Sequence, residues 1–236
     1  ALHTSGRSCS VRPAALARPS RHFASSFQAT QADLELVLQS KPWPPWLAGE
    51  MRSNWAGETG AAAIYRGCQA ALPRIACPQQ RAALAEFAEE HVAAEEAHLA
   101  AMEIVVCEPG ERSWMPAASF GWALGYASTA GRGARGMYVT THAVESFVEE
   151  HYGDQITQIV RELDSGENSV EREEALRSLL ALLRAACADE VHHKEEAKER
   201  ACALSTGGAA ARLADRLQFL AIYWGSRVGA EMAKRI

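Results

Sequence analysis

The fold that we expect for this chain follows from the tetrapeptide Glu95-Glu96-Ala97-His98, because its Glu-x-x-His spacing recurs at Glu190-Val191-His192-His193. Two residues that are three apart on a helix share one face, so each pair aims a carboxylate and an imidazole at the same point. A metal ion requires this kind of convergence. The two pairs therefore predict two helices that meet at one metal site.

The chain around these pairs consists of long alanine-rich segments that are separated by Pro and Gly, which favours helices throughout. We predict five helices, over residues 48–73, 79–107, 134–163, 169–204 and 210–236. The fourth is expected to begin at an Asn168 cap with Glu171 three residues on. The predicted fold class is all-α, a ferritin-like four-helix bundle with additional helices at a membrane interface.

Ferritin-like di-iron proteins take one further glutamate from each of the other two helices of the bundle. Glu58 and Glu145 are suitable candidates, since they lie on the predicted first and third helices. Carboxylates and imidazoles together suit iron or manganese better than a metal that prefers thiolates. The candidate ligands are Glu58, Glu95, His98, Glu145, Glu190 and His193. The predicted helix over residues 169–204 also permits a shifted register in which Asp189 and His192 are the pair.

The composition describes a globular chain of 236 residues, with 48% hydrophobic residues and a formal net charge of -5. Such a charge gives no positive field to hold a polyanion, so we expect no nucleic-acid partner. The six cysteines include no Cys-x-x-Cys pair, which predicts reduced thiols and not a disulfide scaffold.

The first part of the chain has a composition of its own. Residues 1–32 contain no Asp or Glu but carry Arg7, Arg12, Arg18 and Arg21 among Ser and Ala, which is typical of an organellar transit peptide. An ordinary flexible tail is the alternative, and an arm along a partner surface is a further hypothesis. With the Pro-rich hinge at 41–45, we divide the chain into an arm over 1–47 and a domain over 48–236.

Two other segments are candidates for contact with a membrane. Residues 113–131 carry no charge, but their Pro, Gly and Ser make the segment too weakly apolar to predict a membrane span. The last predicted helix combines apolar side chains with five Arg and Lys residues, as basic interfacial helices do. Packing in the core of the bundle remains an open alternative for both segments.

A family resemblance appears in the stretch Met51-Arg52-Ser53-Asn54-Trp55-Ala56-Gly57-Glu58-Thr59-Gly60-Ala61. It resembles the Arg-x-Asn-His-Ala-Gly-Glu-x-Gly-Ala segment of demethoxyubiquinone hydroxylases, which are membrane-associated di-iron enzymes of ubiquinone biosynthesis. Further blocks agree in order along the chain, at 64–67, 95–99, 143–145 with 151–156, 189–193 and 226–228. The resemblance covers about residues 48–236.

The resemblance implies the same six metal ligands and gives Glu58, Glu95, Glu145 and Glu190 the catalytic role. It implies a monooxygenase that uses two iron ions and O2 to hydroxylate the ring of a demethoxyubiquinone, with electrons that come ultimately from NADH. The expected partners are the polyprenyl quinone, a membrane surface and the lipid-binding accessory protein of the pathway. The expected location is the matrix side of the mitochondrial inner membrane, as a peripheral protein.

Several residues near the predicted ligands need separate interpretation. We expect His151 and Tyr152 to lie beside the metals and not to bind them, with a packed core tyrosine as the alternative for Tyr152. His91 is expected to be a core or supporting histidine, and Asp154 either accepts from a ligand imidazole or lies on the surface. The chain departs from the family pattern at Trp55, where a histidine is usual, and at Glu149 and Glu150.

Two other functions compete with this one. The chain could be a family member that serves as a structural subunit of a mitochondrial respiratory assembly, with its metal site retained or idle. Iron storage, or another di-iron oxidase activity on the same fold, is a weaker alternative, because a fold alone does not fix the substrate.

Overall fold

The computed structural model describes residues 30–204 and 208–236, and these residues form six α-helices and no strand. The helices are α1 (Gln31–Gln39), α2 (Pro45–Ala71), α3 (Pro78–Val105), α4 (Ala117–Asp164), α5 (Val170–Ala203) and α6 (Ala209–Ala233). The predicted all-α class and ferritin-like bundle are thus confirmed. Four of the five predicted helices both begin and end within three residues of the observed bounds.

The helices begin at residues that deal with the unpaired backbone N–H groups of the first turn, either because a proline has no N–H or because a side chain accepts from one. Pro45 and Pro78 occupy the first positions of α2 and α3, where a missing N–H costs no hydrogen bond. At α5 the cap is Ser169, whose hydroxyl accepts from the backbone N–H of Arg172 at 3.3 Å. The predicted Asn168 cap is wrong, because the Asn168 amide donates instead to the Glu162 carbonyl at 2.8 Å.

Helix α1 lies in the segment that we predicted to be an arm and was not predicted. Thr30 and Asp33 form a reciprocal capping box at its start. Leu34 and Val37 are buried in the same core cluster as Leu176 of α5. Nine residues are too few for a stable isolated helix, so packing on α5 stabilises this one. This part of the predicted arm therefore contacts its own bundle, while the four arginines of the predicted transit peptide lie outside the described residues.

Helix α4 reverses direction at Gly133, which has a φ of 63° and divides the helix into a first arm (117–132) and a second arm (134–164). Only glycine adopts this backbone conformation without a steric cost. The two arms lie side by side, since the Thr140 hydroxyl donates to that of Ser128 at 2.8 Å. The prediction that a helix begins at residue 134 holds for the second arm, whereas the first arm was not predicted as a helix.

The first arm packs against α2 at a very short distance. A Cβ atom added to Gly121 or Gly125 would lie 2.1 or 1.8 Å from the carbonyl oxygen of Gly60 or Ile64. The uncharged segment therefore requires glycine at these two positions, because two helix backbones are in contact there.

Among residues 30–204 and 208–236, none of the helices has the length and hydropathy of a membrane span.

The second arm of α4 runs antiparallel to α2 and forms the bundle with α2, α3 and α5. Helix α6 runs along the outside of this second arm. Near its start Asp215 accepts from Arg135 Nε at 3.1 Å, and near its middle Tyr223 donates to Glu150 at 2.5 Å. The first arm and α6 thus form an outer layer on the bundle.

The bundle interior contains two apolar clusters that are separated by a polar one. One cluster includes Met102 of α3 and the other includes Phe87, while Glu95 and His98 lie between them on the same helix. The same order holds on α5, where Glu190 lies between Leu183 and Ala197. The polar groups are therefore held midway along four helices, away from solvent.

Candidate metal centre

The structure brings the six predicted ligands to the middle of the bundle. They come from α2 (Glu58), α3 (Glu95 and His98), the second arm of α4 (Glu145) and α5 (Glu190 and His193). Every one of these side chains is buried. Buried ionisable groups are rare in proteins unless they are paired or bind metals, so this cluster requires a physical explanation.

His98 lies at the centre of the cluster. Its Nδ1 atom is 3.0 Å from Glu190 Oε1, 3.6 Å from Glu58 Oε2 and 3.8 Å from Glu95 Oε2. One ligand atom from each of these four residues lies within 4.8 Å of all the others. A set of atoms this close can reach a single metal ion.

His193 and Glu145 complete the cluster. His193 Nδ1 lies 3.2 Å from Glu190 Oε2 and 3.4 Å from Glu95 Oε1, so Glu190 contacts both imidazoles. Glu145 lines the same cavity as Glu58, Glu95 and Glu190. Its pKa is raised well above the usual range by burial and by the charges of Glu190 and Glu95. All four helices therefore contribute to one site.

The shifted pKa values of the cluster show that its buried carboxylates are stabilised by positive charge or by bound protons. Burial raises the pKa of Glu58 to about 7, although His98 opposes the shift. Burial alone would lower the pKa of His193, but the carboxylates of Glu190 and Glu95 beside it outweigh burial and raise this pKa to about 10. The pKa of His98 is raised well above its usual value for the same reason. The pKa of Glu190 is held well below its usual range because the two imidazoles outweigh its burial.

The donor set fits metal cations. Neither carboxylate oxygen of Glu95 has a hydrogen bond to any described residue, although both are buried. Four carboxylates and two imidazoles are hard and borderline donors, which suit iron or manganese. Two divalent cations would neutralise the four carboxylates and leave the imidazoles uncharged, as metal ligation requires. The residues present therefore fit a bound metal cation.

Asp189 supports this site in a way that we did not predict. Its Oδ2 atom lies 3.4 Å from His98 Nε2, and the side chain is fully buried. A carboxylate on one imidazole nitrogen fixes the ring so that the other nitrogen faces the metal. Asp154, our candidate for this role, is exposed. The acidic residue directly before Glu190 was the available sequence signal.

The two registers predicted for α5 are distinguished by the contacts that they make. Glu190 and His193 face the cluster and are buried, whereas His192 is only half-buried. Asp189 contacts His98, a histidine from α3. The geometry thus favours Glu190 with His193.

Tyr152 and His151 occupy different positions beside the cluster. The Tyr152 hydroxyl donates to Glu58. His151 directly precedes Tyr152 on α4, and its Nε2 atom is 3.3 Å from Ser53 Oγ and 3.6 Å from Glu50 Oε2. Tyr152 therefore contacts a candidate ligand directly, while His151 borders the cavity described below.

His91 packs behind the cluster. Its Nδ1 atom lies 2.8 Å from the carbonyl oxygen of Phe87, and its ring lies 4.4 Å from that of His193. Burial holds the pKa of His91 well below its usual value, with the charge of His193 acting in the same direction. The His91 ring therefore packs against the ring of His193, a candidate metal ligand.

The three departures from the family pattern lie outside the cluster. Trp55 packs under the guanidinium of Arg112, which is 5.5 Å from its ring centre. Glu149 pairs with Lys194 of α5 at 2.5 Å, and Glu150 accepts from Tyr223 of α6. None of these contacts removes a candidate metal ligand.

A cavity of about 550 Å³ leads from the cluster to the surface between the first arm of α4 and α6. Its polar end is formed by Glu58, Glu95, Glu145 and Glu190. Its walls are mostly apolar and include Ile64, Phe120, Leu124, Val148 and Ile222. Such a cavity fits an elongated apolar molecule that presents a polar head to the carboxylates.

Comparison with known proteins gives one family. A family model described as ubiquinone biosynthesis protein COQ7 matches residues 45–219, a range that contains all six candidate ligands. No curated protein matches the chain significantly. The match confirms the resemblance to demethoxyubiquinone hydroxylases that the sequence blocks indicated.

Proposed function

The chain belongs to the family of ubiquinone biosynthesis protein COQ7, and we propose that it is an O2-dependent di-iron monooxygenase that hydroxylates the ring of a demethoxyubiquinone. Family membership itself gives the chain a role in ubiquinone biosynthesis. One observation carries the finer proposal: a buried cluster of carboxylates and imidazoles lies at the inner end of an apolar cavity.

The proposed iron ligands are Glu58, Glu95, His98, Glu145, Glu190 and His193. Two bound iron ions would supply the activation of O2, with electrons ultimately from NADH. The chain's own residues hold and orient this site: Asp189 fixes the ring of His98, and Tyr152 holds one oxygen of Glu58. Side chains that are held in this way need little reorganisation during a reaction.

The cavity supports a quinone as the substrate. Its apolar walls exclude water and provide a surface for an isoprenoid chain, while its carboxylate end receives the ring. The opening between the first arm of α4 and α6 is where the tail would leave the protein. The part of an isoprenoid tail that extends beyond the opening requires an apolar environment outside the protein as well.

A membrane surface is the environment that we propose for this opening. Large apolar side chains are exposed on both flanking elements, including Phe120 and Trp122 on α4 and Leu217 and Trp224 on α6. Contiguous exposed apolar side chains on a soluble domain indicate an interaction surface. The arginines of α6 at positions 212, 216 and 227 are exposed too, as is typical of helices that bind anionic lipids.

Two further parts of the proposal rest on the sequence. The arginine-rich segment before Thr30 supports import into mitochondria and a peripheral position on the matrix side of the inner membrane. Binding of the lipid-binding accessory protein of the pathway is proposed from the resemblance.

The experiment that tests the proposal measures metal content and product together. The protein and its Glu95→Gln variant are reconstituted with Fe2+ under anaerobic conditions and then given O2, NADH, a reductase and a short-tailed demethoxyubiquinone. We expect about two irons per chain and a hydroxylated product detected by mass spectrometry, both lost in Glu95→Gln. The control is Glu96→Gln, because Glu96 is exposed and pairs with Arg66.

Iron without product would contradict the hydroxylase proposal and leave a metal protein of another activity. No iron in the unsubstituted protein would contradict the metal centre itself, and the role of a structural subunit would then be preferred.

A further inference from the structure

Tyr65 of α2 has a buried phenol that the proposed function does not use. The residue is 1% exposed, and its hydroxyl has no hydrogen bond to any described residue. Burial of a hydroxyl group without a partner is unfavourable, so native structures rarely keep one without a reason. The question is which group this hydroxyl serves.

The sequence places Tyr65 in the same relation to Glu58 as Tyr152 has to Glu145. In each case the tyrosine follows the glutamate by seven residues, which is two helical turns and therefore the same helix face. The Tyr152 hydroxyl donates across to Glu58 of the other helix. The glutamate and tyrosine of one helix thus face the tyrosine and glutamate of the other.

The register of the two helices brings the second pair together. α2 and the second arm of α4 run antiparallel, with Asn54 and Gln155 paired through both of their amide groups at 2.8 and 2.9 Å. Tyr152 lies opposite Glu58 in this register. A step of seven residues forward on α2 and seven back on α4 leads from that pair to Tyr65 and Glu145.

The electrostatics agree with this position. Burial raises the pKa of the Tyr65 phenol well above its usual value, and the negative charges of Glu145 and then Glu95 raise it further. Thr141 is a further polar neighbour of this phenol, one turn before Glu145 on α4, and it lowers the pKa. The Thr141 hydroxyl also has no hydrogen bond to the described residues.

We propose that Tyr65 is a positioning residue of the metal centre, whose hydroxyl donates to the Glu145 carboxylate as the Tyr152 hydroxyl donates to Glu58. This inference rests on the proposed metal site. Glu145 and Glu190 line the same cavity, so a cation held between them would leave the second oxygen of Glu145 to accept from Tyr65.

The consequence is a pair of tyrosine anchors on opposite sides of the cluster. Each anchor fixes one oxygen of a glutamate that comes from a helix without the Glu-x-x-His pair. The other oxygen of that glutamate is then directed towards the metals. Outer hydrogen bonds of this kind typically change metal affinity by about 10-fold to 100-fold.

The test uses Co2+ as a spectroscopic probe in the chelator-treated full chain. Tyr65→Phe is compared with the unsubstituted protein and with Tyr138→Phe, which removes a buried phenol that lies beside Arg200 and away from the cluster. We expect about two Co2+ per chain in all three proteins. Tyr65→Phe should bind at least one of them about 10-fold more weakly, with a changed visible d–d spectrum, whereas Tyr138→Phe should match the unsubstituted protein.

A stability measurement separates positioning from packing. The thermal midpoint of chelator-treated Tyr65→Phe should be no lower than that of the unsubstituted protein, because this phenol has no hydrogen bond to lose among the described residues and its burial is unfavourable. Thr141→Val should leave the Co2+ affinity unchanged.

Three results would overturn the inference. Unchanged Co2+ affinity and spectrum in Tyr65→Phe would show that the hydroxyl does not hold Glu145. An equal loss in Thr141→Val would assign the phenol to Thr141 instead. If the unsubstituted protein binds no Co2+, the metal centre and the role of Tyr65 both fail, and this outcome is distinct from a failure of the role alone.

Discussion

Asp189 is the residue that orients His98 so that one ring nitrogen faces three of the buried glutamates. Its carboxylate lies 3.4 Å from Nε2, which leaves Nδ1 directed at Glu190, Glu58 and Glu95. Because the side chain is fully buried, it cannot exchange this contact for water. A side chain of α5 therefore orients a candidate metal ligand of α3.

We expect Asp189→Asn to weaken metal binding by about 10-fold to 100-fold, because an amide accepts more weakly than a carboxylate and permits the other imidazole tautomer. The measurement is a Co2+ titration in competition with a chelator of known affinity. Asp154→Asn is the matched control, since Asp154 is exposed on α4. Equal affinity of Asp189→Asn and the control would contradict this role.

At the residue scale the sequence predicted the six residues that the structure brings together but not the residues that hold them. Glu95 and His98 are recognisable because their spacing alone places them on one helix face. The contact between Asp189 and His98 joins positions 91 residues apart, and only the packed bundle reveals it. Long-range support of this kind has no local pattern in the sequence.

At the scale of elements, the close approach of α2 and the first arm of α4 depends on glycine. A Cβ at Gly125 would lie 1.8 Å from the Ile64 carbonyl oxygen, a backbone atom that cannot move without shifting the whole of α2. Gly153 is also helical, but nothing lies within 4 Å of the position that its Cβ would occupy. We therefore expect alanine substitutions at the two glycines to change the free energy of unfolding in opposite directions.

We expect Gly125→Ala to lower the free energy of unfolding by about 3 kcal/mol, since overpacking at a rigid contact forces the helices apart. Gly153→Ala should raise the same free energy by about 0.5–1 kcal/mol, because alanine is the better helix former. Urea denaturation of both variants measures the difference. A mild effect of Gly125→Ala would show that the helices separate easily.

Helix α6 presents the apolar side chains that we propose to contact lipid. We expect the double substitution Leu217→Glu and Trp224→Glu to remove most binding to vesicles of phosphatidylcholine and anionic lipid, measured by co-sedimentation. Each side chain is more than half exposed, so the fold should be unaffected. Val170→Glu is the control, because Val170 is 78% exposed at the start of α5, away from α6. Undiminished binding would exclude α6 as the lipid contact.

The helices themselves were predictable to different degrees. Long segments such as α3 and α5 carry a sustained apolar pattern between clear breakers, and their predicted bounds agree closely with those observed. α1 was missed because nine residues carry too weak a pattern, and its stability comes from contacts with α5. The reversal at Gly133 was missed because glycine is common in that segment, so one special backbone conformation could not be distinguished.

At the scale of the whole molecule, the bundle places four carboxylates in an apolar interior and balances them with protons. His193 is the clearest case, since its pKa of about 10 means that it binds a proton in the folded chain long after it would lose one in the unfolded chain. Glu145 also holds its proton to a higher pH when folded. Stability and protonation are therefore linked in the protein without metal.

The sign of this linkage gives a prediction for chelator-treated protein. A histidine with a raised pKa stabilises the fold fully below pH 6.5, and this stabilisation is lost as the pH rises towards 10. Glu145 acts in the same direction, because its ionisation inside the bundle is unfavourable. His91 and His151 have lowered pKa values and act in the opposite direction, but only below pH 6.5. Between pH 7 and 9 the first two effects dominate.

We therefore expect the free energy of unfolding of the chelator-treated protein to fall by at least about 1 kcal/mol per pH unit from pH 7 to 9. His193→Gln should make this dependence on pH shallower, because a glutamine side chain binds no proton. Metal-loaded protein should be nearly independent of pH over the same range, since cations replace the protons. Urea denaturation at each pH, with and without chelator, measures all three slopes. A chelator-treated protein that is equally stable at pH 7 and 9 would show that the buried carboxylates are balanced without the two imidazoles.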